Sequence, residues 1–278
     1  MLRELKKEDW MTILQIPEDR APQALLMWGT RNLKTRYDAM RRRFSDVLEI
    51  GSPNGLVEDI FIGTLGQACV GYASVYGAPM ASEIVHLFGV LGARLVIQIG
   101  TCGGLAEGLK AGDLFTAEEA YCGEGASQYY KTNGKTVAAT MTFSEMVERY
   151  GRGIPLARGK IYTTSALFAE GKDDIENWAK RGFSAVDMET AATFAVAEHF
   201  GMDRGSLLSV FDNPGGQEHI LTTDSEKNER RTSAQIAMVD IALAAIANCV
   251  KTGSEQVAPA DTDGTPCDFG RSVGNGGG

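Results

Sequence analysis

The chain has 278 residues, of which 44% are hydrophobic, and it carries a formal net charge of −9 at pH 7. This length can bury one large core or two small ones, and the acidic balance argues against nucleic acid as the main partner. The sequence has no apolar run long enough to predict a membrane-spanning helix, and its charged start lacks the apolar segment of a secretory signal. The five cysteines show no CxxC spacing, so we expect neither a disulfide framework nor a zinc site, and a reducing cytoplasm fits best.

The first half of the chain predicts a helix, a β-hairpin and a second helix. Residues 31–44 have the pattern of a basic helix, and the arginines in Met40–Phe44 indicate either a solvated helix face or an anion contact. Two β-rich runs within residues 57–77 flank a turn at Gly66, which is typical of a hairpin. Apolar residues then recur at helical spacing from Pro79, a residue that favours the first turn of a helix.

The second half of the chain alternates strands with helices. The predicted elements are strands at residues 94–100, 112–120, 157–166 and 205–212, a short strand running into a helix over residues 183–201, and a helix at residues 232–250. This alternation indicates an α/β fold with a largely parallel or mixed sheet. After Lys251 the composition becomes rich in Gly, Asp and Pro. We therefore predict a single domain over residues 1–251 and a flexible tail over residues 252–278.

Three of the predicted strand ends carry polar residues, and ligands of open α/β sheets gather at the carboxyl ends of strands. The first is the run Gly100–Gly104, in which glycines let the N–H groups of a turn point at one anion and Thr101 adds a hydroxyl. Gly-rich turns are common, so this signal is weak by itself. The run matches neither the Walker pattern nor GxGxxG, so it indicates neither a nucleoside triphosphate nor a dinucleotide.

The other two strand ends carry carboxylates. Asp187 and Glu189 stand at a strand-to-helix junction, where Asp187 is a candidate N-cap and Glu189 a first-turn carboxylate favoured by the helix dipole. The functional alternative is that Glu189 accepts hydrogen bonds from vicinal sugar hydroxyls while Met188 lies against the sugar. Asp212, which precedes Asn213, is either an ordinary turn residue or a general acid whose pKa is raised by partial desolvation.

Together these segments resemble the nucleoside phosphorylase/nucleosidase superfamily. The sequences VIQIGTCGGLAEGLKAGDLF (residues 96–115), FSAVDMETAATFAVAEHFG (183–201) and LLSVFD (207–212) occur in the order and spacing of that superfamily. Its members include uridine phosphorylases, hexameric purine nucleoside phosphorylases and methylthioadenosine/adenosylhomocysteine nucleosidases. The resemblance covers roughly residues 57–250. It implies a single three-layer α/β/α domain around a central mixed, partly barrel-like β-sheet, and a homodimer or a hexamer built from dimers.

The resemblance also implies roles for individual residues. Gly100 and Thr101 match the phosphate-binding turn of the family, and Met188 and Glu189 match the pair that binds ribose. The resemblance also implies a second set of residues, which contact the base or assist its departure.

Phe168 matches the aromatic residue that lines the base pocket, although a buried core phenylalanine is the alternative, and Asp187 is assigned to the same pocket. Asp212 matches the acid that protonates N7 of a leaving purine, and because uridine-cleaving members carry Asn there, Asp212 favours purines. Arg230 resembles the arginine that assists this acid, the alternative being a cationic pair with Arg231 near a helix start.

The chain departs from the family in its phosphate-binding motifs. In place of the GDPxR-like motif of phosphorylases it has MWGTRNLKTR, which keeps Gly29 and an arginine, Arg31 or Arg36, at altered spacing. Gln98 stands where the family tends to have an arginine, which removes a full charge and a bidentate phosphate contact. The usual histidine near the N-terminus, which reaches a neighbour's ribose, is not evident.

The resemblance therefore implies a nucleoside phosphorylase that cleaves a purine nucleoside with inorganic phosphate as co-substrate and needs no metal or redox cofactor. Arg42 or Arg43 is expected to restore phosphate affinity by reaching the phosphate site of an adjacent subunit. Three alternatives stay open: a uridine phosphorylase, a phosphate-independent nucleosidase, and a non-catalytic nucleoside-binding protein. The expected partners are a small-molecule nucleoside and phosphate, with neither nucleic acid nor a membrane.

Overall fold

The computed structural model describes residues 1–51, 57–131, 133–141, 143–214 and 224–255, with side chains described up to Val250. The helices of these residues are α1 (Lys7–Ile13), α2 (Leu33–Arg41), α3 (Gly77–Leu91), α4 (Ser144–Tyr150), α5 (Lys172–Lys180), α6 (Thr190–His199) and α7 (Ser225–Glu255). The strands are β1 (Ala24–Gly29), β2 (Ser45–Ile50), β3 (Ile60–Leu65), β4 (Ala68–Val75), β5 (Leu95–Gly104), β6 (Leu114–Cys122), β7 (Thr136–Ala138), β8 (Leu156–Thr163), β9 (Phe183–Asp187) and β10 (Asp203–Asp212).

Part of the sheet closes on itself. β5 pairs with β10, β10 with β6, β6 with β8, β8 with β9, and β9 returns to β5, so these strands form a closed ring. From β5 the sheet continues outward through β1, β4, β3 and β2. Parallel and antiparallel pairings both occur, which confirms the predicted mixed, partly barrel-like sheet.

Helices cover both faces of the sheet because its strands are apolar on both sides. One layer packs residues of α1, α3 and α6, such as Trp10, Phe88 and Val196, against the open part of the sheet. The opposite layer packs α2, α4 and α7, including Tyr37 and Met146. The burial of strands on both faces, together with these two helical layers, gives the predicted α/β/α arrangement.

The long helix α7 is part of this core. Among the described residues, α7 is the single helix long and apolar enough to cross a membrane, over Ser225–Val250. However, 56% of its most apolar window is buried within the protein, where α7 contacts α4, β5 and β10. Such burial is typical of a core helix.

Several local predictions are confirmed by these elements. β3 and β4 form the antiparallel hairpin around Gly66, and α6 ends next to Gly201, which has a φ of 65°. Gly permits this left-handed conformation at little cost. The last helix begins at Ser225 rather than Thr232 and continues to Glu255, so residues 252–255 of the predicted tail are helical, whereas residues 256–278 lie outside the described part.

One local prediction is wrong. The run Gly100–Gly104 is not a turn, because β5 continues through Gly104 and pairs with β10 at Thr101 and with both β9 and β10 at Gly103. The glycines of this run have extended backbone, and none is among those with positive φ. The predicted nest of N–H groups is therefore absent from this run, and its glycines serve another purpose, which the site makes clear.

Candidate active site

Two glycines and one buried carboxylate meet where β1 ends beside the middle of β5. The register Trp28 to Ile99 brings Gly29 next to Gly100, and a methyl group at Gly100 would lie 2.9 Å from the carbonyl oxygen of Gly29. A methyl group at Gly29 would in turn lie 2.9 Å from Oε2 of Glu189. These glycines allow a close approach of backbone and carboxylate that no side chain would permit.

Glu189 is held in this position by the backbone. Its Oε1 accepts a hydrogen bond of 2.7 Å from the N–H of Gly77, the first residue of α3, and only 6% of the residue is exposed. Burial raises the pKa of Glu189, and the neighbouring charge of Asp187 raises it further. The positive charge of Arg31 acts in the opposite direction. Glu189 is thus a preorganised carboxyl group with Arg31 close enough to influence its charge.

Asp187 belongs to a hydrogen-bond network that fixes the start of α6. Its Oδ1 accepts the hydroxyl of Thr163 at 2.7 Å, and its Oδ2 accepts the backbone N–H of Thr190 at 2.9 Å. Gln98 donates Nε2–H to the same Oδ2 at 3.2 Å. Burial raises the pKa of Asp187, whereas the hydrogen bonds from Thr190 and Thr163 lower it. Asp187 thus accepts the first N–H of α6, as a capping side chain does, but the N-cap position itself is occupied by Glu189 rather than by Asp187. The assignment of Asp187 to the base stays a prediction.

Gln98 takes a structural place in this network. It is fully buried and also donates to the hydroxyl of Thr190 at 3.0 Å, whereas its Oε1 has no hydrogen-bond partner among the described residues. The side chain at the position where the resemblance leads one to expect an arginine is therefore neutral, and it is directed at Asp187 and Thr190.

Asp212 ends the strand that runs parallel to β5. Gly103 is its register partner, and a methyl group at Gly103 would lie 3.4 Å from Oδ1 of Asp212 and 3.1 Å from the side chain of Val186. Asp212 is only 8% exposed. Thr101, which is exposed, pairs with Ser209 on the same two strands. The β5–β10 pair thus carries Gly100, Thr101 and Asp212, with a shift of register between Val210 and Asp212.

Arg231, which follows the predicted Arg230, contacts this strand end. Arg231 donates Nε–H to the carbonyl oxygen of Phe211 at 2.6 Å, and its guanidinium lies 3.8 Å from the centre of the Phe211 ring. The backbone and Cβ of Arg230 pack against Gly112, and its assistance of Asp212 stays a prediction. The sequence indicates Arg231 only as half of a cationic pair, because the loop before the helix gives no register that would separate the two arginines.

The two arginines of the altered N-terminal motif, Arg31 and Arg36, contact different parts of the protein. Arg31 lies over the rings of Tyr76 and Phe168, at 4.8 and 5.4 Å from the ring centres. Arg36 faces the core side, 4.6 Å from the centre of the Trp28 ring, and donates to Gln235 at 2.8 Å. Arg31 is therefore the arginine of this motif that lies near Glu189.

Phe168 is not a core residue, since 93% of it is exposed. Among the described residues, the one ring contact of Phe168 is with the guanidinium of Arg31. Met188, between Asp187 and Glu189, is half-buried. An exposed aromatic ring beside a buried carboxylate is the type of surface on which a flat ligand can stack.

The remaining predicted arginines lie on the outside of the molecule. Arg42 is exposed, and Arg43 donates to Oδ1 of Asp240 at 2.8 Å, an acid on α7 that also pairs with Arg152. The predicted contact of Arg42 or Arg43 with an adjacent subunit stays a prediction.

Glu170 was missed by the sequence reasoning. It is half-buried, its Oε1 has no hydrogen-bond partner among the described residues, and burial together with the charges of Asp212 and Asp174 raises its pKa to about 7. In sequence it reads as a polar residue before an acidic helix start, so no local signal distinguished it. Among the described residues, no group of three or more His, Cys, Asp or Glu side chains could hold a metal ion.

The closed ring of strands and the site at the end of β5 define the class of this protein. A family model of the phosphorylase superfamily matches residues 33–247, and the chain belongs to that superfamily. Curated relatives include the DeoD-type purine nucleoside phosphorylase of Clostridium beijerinckii, 30% identical over 171 residues that cover 60% of this chain and 68% of that protein. The DeoD-type purine nucleoside phosphorylase of Caldanaerobacter subterraneus subsp. tengcongensis is 31% identical over 172 residues, 60% of this chain and 71% of that protein.

A solved structure shows the same fold. The uridine phosphorylase from Vibrio fischeri ES114, complexed with 6-hydroxy-1-naphthoic acid, superimposes with a TM-score of 0.68, covering 84% of this chain and 94% of that chain at 19% sequence identity. At this identity the likeness concerns the fold alone.

Proposed function

We propose that this protein is a nucleoside phosphorylase that cleaves the N-glycosidic bond of a purine nucleoside with inorganic phosphate, giving free base and ribose 1-phosphate. The observation that carries the proposal is the arrangement of three neighbouring strands. Glu189 lies against Gly29 at the end of β1, Gly29 lies beside Gly100 of β5, and β10, which pairs with β5, ends in Asp212. A sugar carboxylate, an anion cradle and a proton donor are the groups that this reaction needs.

Each group has a defined part in the proposed reaction. The hydroxyl of Thr101 and the guanidinium of Arg31 hold phosphate, while Glu189 and Met188 fix the ribose, which keeps the reacting atoms close. A phosphate oxygen forms a bond with C1′ as the bond from C1′ to N9 breaks.

The electron pair of the broken bond moves onto the purine, which takes a proton at N7 from Asp212. General acid catalysis of this kind contributes about 10²–10⁴-fold to a rate. Phosphate also stabilises the positive charge that develops on the sugar. The exposed ring of Phe168 is the proposed stacking surface for the base.

The preference for purines is supported by Asp212 and by the relatives. A carboxylic acid can deliver a proton to the N7 atom that purines have and pyrimidines lack, and the relatives at about 30% identity carry the name purine nucleoside phosphorylase. The structural neighbour with the uridine name supports only the fold.

One observation favours a second candidate function, a hydrolytic nucleosidase. Gln98 is neutral and is directed at Asp187 and Thr190, so this position supplies no positive charge to an anion. In a nucleosidase, water takes the place of phosphate as the nucleophile, with a carboxylate as the base.

Product analysis separates these functions. We would measure base release from inosine, adenosine, uridine and methylthioadenosine, each with and without phosphate. We expect release from the purine nucleosides that depends on phosphate, with ribose 1-phosphate as product. Release without phosphate would identify a nucleosidase, release from uridine alone a uridine phosphorylase, and binding without release a non-catalytic protein.

We also propose that the protein is a homodimer or a hexamer of dimers located in the cytoplasm. Light scattering of the purified protein tests the assembly, and a monomer at assay concentration would contradict it.

A further inference from the structure

One carboxyl oxygen of Glu170, Oε1, is buried without a hydrogen-bond partner among the described residues. Buried polar atoms are nearly always satisfied in native proteins, and each exception calls for a physical reason. A ligand that supplies the missing partner is one such reason.

The surroundings of Glu170 place it at the base end of the candidate site. Phe168, whose exposed ring lies against Arg31, precedes it by two positions. The negative charge of Asp212, at the end of β10, also acts on Glu170. Glu170 therefore follows the exposed aromatic ring by two positions in the chain and lies near enough to Asp212 to be influenced by its charge.

Packing of α5 explains how Glu170 comes to this point. Glu170 immediately precedes the capping residue of α5, and Ile175 of that helix packs in one cluster with Val186. Val186 and Asp212 both lie within 3.4 Å of the position that a methyl group at Gly103 would occupy. The start of α5 is thus anchored beside the strand ends that carry the proposed acid.

We propose that Glu170 is a specificity-determining residue that forms a hydrogen bond with the substituent at the 6-position of the purine. This inference rests on the proposed function, in which Asp212 delivers a proton to N7. N7 and the 6-substituent lie on the same edge of a purine, where adenine offers an amino donor and guanine an oxo acceptor. When Asp212 donates to N7, the 6-position is the neighbouring polar group on that edge, and Glu170 is a carboxyl group near enough to Asp212 to be influenced by its charge.

A carboxyl group suits either substituent. The ionised form accepts a hydrogen bond from a 6-amino group, and the protonated form donates one to a 6-oxo group. Because the pKa of Glu170 is raised to about 7, both forms are present at neutral pH. Glu170 thus distinguishes purines that have a 6-substituent from those that lack one.

The test compares three substrates that differ only at this position: adenosine, inosine and purine riboside, which has no 6-substituent. In Glu170→Leu we expect kcat/KM for adenosine and inosine to fall about tenfold, the effect of losing one hydrogen bond, while purine riboside changes little. Glu170→Gln keeps a donor and an acceptor and should retain most of the discrimination. Glu176→Leu, an exposed carboxylate on α5, is the matched control and should leave all three substrates unchanged.

An equal loss for all three substrates, or no loss for any, would overturn the proposal. Calorimetry with adenine, hypoxanthine and purine gives a second readout that does not depend on turnover. If wild-type protein releases no base from any nucleoside, the proposed function fails, but a selective loss of adenine and hypoxanthine binding in Glu170→Leu still supports Glu170. If wild-type protein binds the three bases equally, Glu170 has no such role.

Discussion

The backbones of Gly29 and Gly100 lie so close that a methyl group at Gly100 would come within 2.9 Å of the carbonyl oxygen of Gly29. The contact is with backbone rather than with the end of a flexible side chain, so it cannot be relieved by a rotamer change. Strands β1 and β5, which pair directly next to this point, would have to move apart.

We therefore expect Gly100→Ala to lower the free energy of unfolding by about 1–3 kcal/mol, the usual cost of overpacking. The KM for phosphate should also rise, because a shift of Gly100 would displace Thr101, whose hydroxyl is proposed to hold phosphate. Urea denaturation and initial rates at varied phosphate measure the two effects. Gly125→Ala is the control, since a methyl group there would meet only the side chain of Gln128 at 3.7 Å. Equal stability of both variants would contradict the role given to Gly100.

Asp212→Asn removes the proposed proton donor while nearly keeping its shape. We expect kcat for purine nucleosides to fall by at least about 10²-fold, because general acid catalysis contributes about 10²–10⁴-fold. The melting temperature should change little, which separates lost chemistry from lost folding. Turnover at the wild-type rate would remove Asp212 from the mechanism.

Arg31 and Arg36 provide a matched pair for the anion site. Arg31 lies over Phe168 and influences the charge of Glu189, whereas Arg36 packs over Trp28. We expect Arg31→Ala to raise the KM for phosphate about tenfold or more, since hydrogen bonds to charged groups contribute about 1.5–3 kcal/mol. Arg36→Ala should change stability more than this KM. The reverse pattern would assign the phosphate contact to Arg36.

Arg231 supports the strand end that carries Asp212. Replacing Arg231 by Met removes the hydrogen bond to the carbonyl oxygen of Phe211 but keeps an apolar stem. We expect a loss of about 1–3 kcal/mol in the free energy of unfolding, together with a lower kcat, because Phe211 adjoins Asp212. Arg230→Met is the comparison. A larger fall in kcat for Arg230→Met would show that Arg230 assists the acid, as the sequence resemblance implies.

Glu170 predicts a dependence of stability on pH. Its pKa rises from the usual 4.5 to about 7 in the folded protein, so the folded state holds this proton more tightly than the unfolded state. The resulting stabilisation is fully present below pH 4.5 and is lost as the pH rises through 7. Glu170→Gln stays neutral and cannot lose it.

We therefore expect the wild-type protein to lose stability relative to Glu170→Gln as the pH rises from 4.5 to 7, measured as the difference between their free energies of unfolding. Urea denaturation of both proteins across this range measures the shift. Asp187 and Glu189, whose pKa values are also raised, titrate in both proteins and cancel in the difference. A difference that does not vary with pH would show that Glu170 has an ordinary pKa.

Much of the fold could be predicted because its signals are local. The hairpin around Gly66 follows from two β-rich runs and a turn, and α6 from an apolar stripe that stops at Gly201. The candidate role of Glu189 comes from the resemblance. Its position against Gly29 could not be derived from spacing, because the two residues come from distant segments.

The errors and omissions depend on contacts between distant parts of the chain. The glycines after Ile99 suggested a turn, whereas in the structure Gly100 makes room for Gly29 and Gly103 makes room for Val186. The local sequence does not reveal that a neighbouring strand lies too close for any residue other than glycine. Likewise, only the folded chain shows that the guanidinium of Arg231 reaches Phe211.

β5 belongs both to the closed ring and to the open part of the sheet. It pairs with β1 and β10 up to Ile99, and with β9 and β10 at Gly103. Gly100 and Thr101 therefore occupy the passage from one part to the other, where β5 stays paired with β10 on one side and has left β1 on the other. Since β10 also carries Asp212, main-chain hydrogen bonds between β5 and β10 set how far Thr101 lies from Asp212, so that a ligand reaching from one to the other has to adapt its own shape to the protein.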